Sequence, residues 1–126
     1  MNVVSRAEHK RLERRLVFVR QVCVPLAGTG IAVGVAIGFP LGANLSASKQ
    51  DETARVLKHG AHDVDMVMNL GLLKSGQAAD YEAIRQDIHG VVELAHGEGA
   101  IVKVILETCL LTFEEKLRAA ELALSA

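Results

Sequence analysis

The sequence predicts an α/β protein of successive strand–helix units with parallel strands, in the order βαβαβα. Three observations carry that prediction. Three short runs rich in branched aliphatics, Ile31 to Ile37 (IAVGVAI), Val64 to Asn69 (VDMVMN) and Ile101 to Glu107 (IVKVILE), each lead into turn chemistry and then a helical pattern. Their starts lie 33 and 37 residues apart, room for a helical crossover each time. The runs are also near-continuously apolar, as strands of a parallel sheet are when helices cover them. Such a chain is either a piece of a (β/α) barrel or a small doubly wound sheet.

Taken in order, Ser5 to Arg20 reads as a basic amphipathic helix, a solvated cap over residues 1–21 ahead of a βα domain at 22–126. Val22-Cys-Val24 resembles a further strand. Only Pro25 to Gly30 separate it from Ile31, too few for a parallel crossover, so it is no neighbour of that strand or a connecting helix has been lost. Ser46 to His59 is helical and stops at Gly60. Asp80 to His96 places Ile84, Ile88, Val91, Val92 and Ala95 on one face, with Gly97 following. Thr112-Phe-Glu-Glu115 is a capping box, which opens a last helix through Leu117, Leu122 and Leu124.

The chain has 126 residues, one domain's worth, and half of them are apolar, which excludes disorder. Fourteen Lys and Arg against fifteen Asp and Glu give a net charge of −1, and aromatics are 3%. Nucleic-acid binding, which favours basic surfaces and stacking rings, is not expected. Cys23 and Cys109 read as buried thiols in a reducing cytoplasm, and neither cysteines nor histidines have metal-ligand spacing. Val22 to Ser48 carries no charge, and Gly30, Gly34, Gly38 and Gly42 recur every fourth residue, as in packed membrane helices. Pro25, Pro40 and the Gly38-Phe-Pro-Leu-Gly42 turn break that run, so a membrane anchor through residues 22–44 is the lesser alternative.

Strand parity locates the chemistry. Asp65, Val67 and Asn69 share one face of their strand, against Val64, Met66 and Met68. Ile101, Lys103, Ile105 and Glu107 likewise oppose Val102, Val104 and Leu106. The pure hydrophobic faces belong under helices, and the polar faces toward a barrel interior or a cleft. An Asp and a Lys amid apolar strands are either a buried Asp65–Lys103 ion pair or a site with acid/base capacity. Asn69, Glu107 and Thr108 fall near strand carboxyl ends, where α/β proteins bind ligands. The turn from Gly38 to Asn44 could cradle an anion, although it matches no phosphate-loop fingerprint.

The motifs IGFPLGAN (Ile37 to Asn44), VDMVMNLGLLKSG (Val64 to Gly76) and KVILETCLLTFEEK (Lys103 to Lys116), in this order and spacing, resemble the deoxyribose-phosphate aldolase family. The resemblance runs from about Ile31 to the last residue. It implies a partial TIM (β/α) barrel of about three to four βα units. It also implies a class I aldolase without metal or organic cofactor, which reversibly cleaves 2-deoxy-D-ribose 5-phosphate through a lysine Schiff base. By resemblance Asp65 is the proton-transferring aspartate. Lys103 is an active-site lysine other than the Schiff-base former. Asn69, Glu107 and Thr108 are substrate-pocket positions. A phosphorylated sugar is the expected partner, in the cytoplasm, with homo-oligomerisation possible.

The family's Schiff-base lysine lies in a VKTSTGF-type motif, and none of the 126 residues forms one. The Asn-Pro of the family's first strand motif and an early Asp-His-Thr segment are missing as well. The expectation is therefore a truncated homologue, inactive or nearly so as this chain alone. Lys103 would be the substitute nucleophile if one existed. The rival reading is a non-catalytic fragment that pairs with itself to cover exposed sheet edges.

Overall fold

The computed structural model describes residues 18–126. The basic stretch that precedes them, and with it most of the expected N-terminal cap, lies outside the described residues. A helix covers residues 18–26 (α1), followed by β1 (Gly34–Ile37), α2 (Ser46–Lys58), β2 (Asp63–Val67), α3 (Leu70–Ser75), α4 (Ala78–Gly97), β3 (Ile101–Ile105), a 3-10 turn (Thr108–Leu110) and α5 (Phe113–Ser125). The strands form one parallel sheet in the order β1-β2-β3, with Ala36 level with Asp65 and Asp65 level with Lys103. The α/β class, the parallel sheet and each crossover follow the sequence expectation.

Val22-Cys-Val24 is helical, not a strand. Helical spacing explains it: Val19 and Cys23, four apart, are buried in the core while Val22 and Val24 stay exposed. Cys23 meets the end of α2, where an added Cβ at Gly60 would lie 3.1 Å from its own Cβ. The uncharged run from Val22 to Ser48 is thus divided among a helix, a turn, β1, a loop and the start of α2. No helix among the described residues is long and apolar enough to cross a membrane.

The strands are shorter than their apolar runs. Val33 precedes β1, and its carbonyl accepts from the His62 and Asp63 amides at 2.9 and 3.2 Å. β2 ends at Val67, after which the Met68 amide donates to Ile105 O at 3.1 Å and joins the ends of β2 and β3. Helix α3, which periodicity did not flag, is six residues long and starts because the Asn69 side chain accepts from the Leu72 amide at 3.2 Å. It stops at Gly76 in left-handed backbone. The predicted capping box is present on α5: Thr112 caps Glu115, and Glu115 returns the bond to the Thr112 amide.

The described helices that pack on the sheet lie on one side of it. α2 packs on β1 and on α4, and α4 on β2 and β3. Ile37, Val64 and Met66 from the strands join Val56, Ile84, Ile88, Val91 and Ala95 from the helices in a single core. This is the pure hydrophobic face expected from parity. The other face carries Gly34, Ala36, Asp63, Asp65, Ile101 and Lys103 and is covered by no helix among the described residues, with Ile101 60% exposed.

Candidate functional site

The open face gathers three charged side chains at its middle. Register places Lys103 directly beside Asp65, and Asp63 one pleat back on the same face. The Lys103 Nζ lies 2.9 Å from Asp63 Oδ2 and 3.3 Å from Asp65 Oδ1. These two carboxylates, Asp63 first, raise the Lys103 pKa above the ordinary lysine value, because hydrogen bonding and charge both favour the ammonium. Half of the lysine side chain remains in solvent (56%), so the expected buried Asp65–Lys103 pair is instead an accessible, shared one. Pairing, not desolvation, decides its protonation. An ammonium held this way is a charge-donating group and a poor nucleophile.

The remaining expected positions cluster at the carboxyl ends of β2 and β3. Asn69 uses its side-chain oxygen to cap α3. Glu107 sits in left-handed backbone (φ 53°), a conformation rare for a residue with a side chain, and its carboxylate accepts from the Cys109 thiol at 3.1 Å. That bond is the first cause that pushes the Cys109 thiol up. Cys109 is exposed, contrary to the buried reading, whereas Cys23 is buried. Thr108 opens the exposed 3-10 turn after it. Asp65 and Lys103 are therefore in contact, and the other three stand along the same rim.

Asp63 went unread in the sequence because the strand was begun one residue late, at Val64. Its signal was present, two residues from Asp65 and hence on the same face. A second missed group lies behind the sheet. Lys49 of α2 is fully buried and pairs with Asp87 of α4, and its Nζ also donates to Val67 O at 3.2 Å. Glu52, one turn on, accepts from the Gly38 amide at 3.0 Å. Helical spacing was the available signal, since Asp87 interrupts the apolar stripe of Ile84, Ile88 and Val91.

These bonds also decide the glycine turn. Gly38 and Gly42 both adopt positive φ, and the Gly42 amide closes onto Gly38 O at 2.8 Å. With the Gly38 amide given to Glu52 and the Gly42 amide to the turn itself, these two donors are not free to cradle an anion. The turn instead lies across the end of β2, where a Cβ on Gly42 would come 2.0 Å from Met68 O.

No family model matches the chain. Individual proteins do. The chain is 56% identical over 101 residues to the deoxyribose-phosphate aldolase of Enterococcus faecalis, covering 80% of this chain and 44% of that protein. It is 50% identical over 109 residues to that of Bacillus cytotoxicus, covering 86% and 47%. Over most of its own length the chain is a homologue of the deoxyribose-phosphate aldolases. It spans a little under half the length of these curated relatives.

Solved structures agree. The deoxyribose phosphate aldolase of Aeropyrum pernix, described as a tetramer, superposes with a TM-score of 0.76 at 30% identity, over 87% of this chain and 44% of that one. A candidate deoxyribose-phosphate aldolase from Coccidioides immitis superposes at 0.79 and 28% identity, over 98% and 51%. The open three-stranded sheet, with its helices on one side, is accordingly a partial (β/α) barrel. Its open face is the side that a complete barrel of this aldolase type turns inward.

Proposed function

We propose that this chain carries part of the catalytic apparatus of an aldolase that reversibly cleaves 2-deoxy-D-ribose 5-phosphate to D-glyceraldehyde 3-phosphate and acetaldehyde through a lysine Schiff base. The observation that carries the reading is the Lys103 ammonium bridging Asp63 and Asp65 on the open face, within the family's own strand motifs. Asp65 is the proton-transferring group: part-exposed, on the inward face, with the Lys103 ammonium 3.3 Å from its Oδ1. Lys103 supplies positive charge near the sugar's oxygens. Asn69, Glu107 and Thr108 line the rim where the substrate enters.

The Schiff base itself needs a free amine. Lys103 is held protonated by two carboxylates, and no VKTSTGF-type stretch lies within the 126 residues. The 126-residue chain by itself is therefore inactive or nearly so, and activity requires a segment that supplies the nucleophile. Borohydride reduction in the presence of 2-deoxyribose 5-phosphate, followed by mass spectrometry of the intact chain, tests this. No adduct is expected. A substrate-derived mass on Lys103 would make that residue the nucleophile and overturn the assignment. Cytoplasmic breakdown of deoxynucleosides is the process that fits this substrate. Assembly with further copies fits the open sheet face, and light scattering that finds only monomer would refute it.

A further inference from the structure

We infer that Asp63, which the motif comparison leaves without a role, is the positioning residue that anchors the Lys103 ammonium, leaving Asp65 free to exchange protons. The inference rests on the reading above, in which Asp65 transfers protons. Strand register alone would predict the opposite, since Asp65 stands level with Lys103 while Asp63 stands level with Ile101. The ammonium nevertheless leans back along the strand, 2.9 Å from Asp63 and 3.3 Å from Asp65. Asp63 is also the more sheltered carboxylate, its side chain 20% exposed against 32% for Asp65, so its ion pair is the less screened of the two.

The two oxygens of Asp65 are used differently. Oδ1 faces Lys103, whereas Oδ2 lies beside Gly34 of β1, where an added Cβ would approach it to 3.2 Å. The glycine thus leaves space around the oxygen that Lys103 does not hold.

Charge balance gives the arrangement its chemical sense. Two carboxylates and one ammonium carry a net charge of −1. When Asp65 takes a proton from a bound hydroxyl or water, Asp63 and Lys103 remain as a neutral pair, and no cation is stranded on the open face. With Asp65 as the lone partner, each protonation would leave Lys103 unpaired, and the ion pair would oppose proton uptake. Asp63 removes that opposition by holding Lys103 whether or not Asp65 is charged.

The experiment follows the titration of the Lys103 side chain by NMR in the whole chain without substrate, for wild type, Asp63→Asn, Asp65→Asn and Asp63→Glu. The expected result is a downward shift of the Lys103 midpoint that is larger in Asp63→Asn than in Asp65→Asn, with Asp63→Glu returning most of the way to wild type. An equal or larger shift in Asp65→Asn would overturn the inference, as would no shift in either variant when circular dichroism shows both folded. If Asp63→Asn fails to fold, Asp63→Ser takes its place under the same comparison: a Lys103 midpoint displaced further than in Asp65→Asn supports the anchor, and one displaced as far or less refutes it. No substrate enters this measurement. Its failure is thus separate from failure of the aldolase reading, which borohydride trapping addresses.

Discussion

Replacing Lys49 by methionine should be among the most damaging single changes outside the candidate site. The side chain is fully buried, and its partner Asp87 is 5% exposed. Methionine keeps the hydrophobic stem but leaves the Asp87 carboxylate buried without its counter-charge. Oδ1 of that carboxylate already has no hydrogen-bond partner among the described residues, so no second donor compensates. Val67 O at the end of β2 loses a donor as well. Breaking one side of a buried pair costs about 3–5 kcal/mol, a large part of the roughly 5–15 kcal/mol that holds a domain folded. With a urea slope of about 2 kcal/mol per molar, the unfolding midpoint should fall by about 2 M. Urea titration followed by circular dichroism reads this directly. The double variant Lys49→Met/Asp87→Leu removes both charges and should regain at least about 2 kcal/mol over the single. A single variant that costs less than about 1 kcal/mol, or a double no more stable than the single, would refute the claim that this pair is a buried electrostatic unit.

Other outcomes are expected elsewhere. Gly42→Ala should destabilise the chain by about 2–4 kcal/mol in the same titration, because its positive φ and the 2.0 Å approach to Met68 O both penalise a Cβ. Thr112→Ala removes the cap of α5 and should cost about 1 kcal/mol, seen as a lower melting temperature. The Glu115 carboxyl is held below its ordinary value, first by the Thr112 amide and then by Lys74. Its contribution is present above the pH at which an unstructured glutamate ionises and is lost as pH falls through the lowered folded value. Acid titration of the helical signal should show this loss, and Glu115→Gln should flatten it.

Much of the fold was legible because parallel βα units leave strong local marks. Apolar runs at crossover spacing, Gly60 after α2 and the Thr112–Glu115 box each name an element by local chemistry. What was misread depended on tertiary context. Val22-Cys-Val24 has strand-like composition, and only the burial of Val19 and Cys23 in the core makes it a helix. α3 is too short for periodicity to show, and rests on one Asn69 cap. Parity put Asp65 and Lys103 each on the polar face of its strand, and the structure brings them into contact there, because alternation along a strand is geometric. It missed Asp63 because the strand boundary was misplaced by one residue. Lys49 and Asp87 stayed hidden because charged residues on helices are usually solvated, and only packing of α2 on α4 shows that these two are not.

The most direct measurement replaces the matched 101 residues of the Enterococcus faecalis aldolase by their counterparts here. The folded chimera is then assayed for acetaldehyde release from 2-deoxyribose 5-phosphate, with and without Asp65→Asn. The chimera should cleave the sugar and form a borohydride-trappable adduct outside the grafted residues. Asp65→Asn should lower the rate by about 10²–10⁴-fold, the range for loss of a positioned proton-transfer group. A folded chimera with no activity, or one whose rate is unchanged by Asp65→Asn, would contradict the assignment of this chain's open face as part of an aldolase active site.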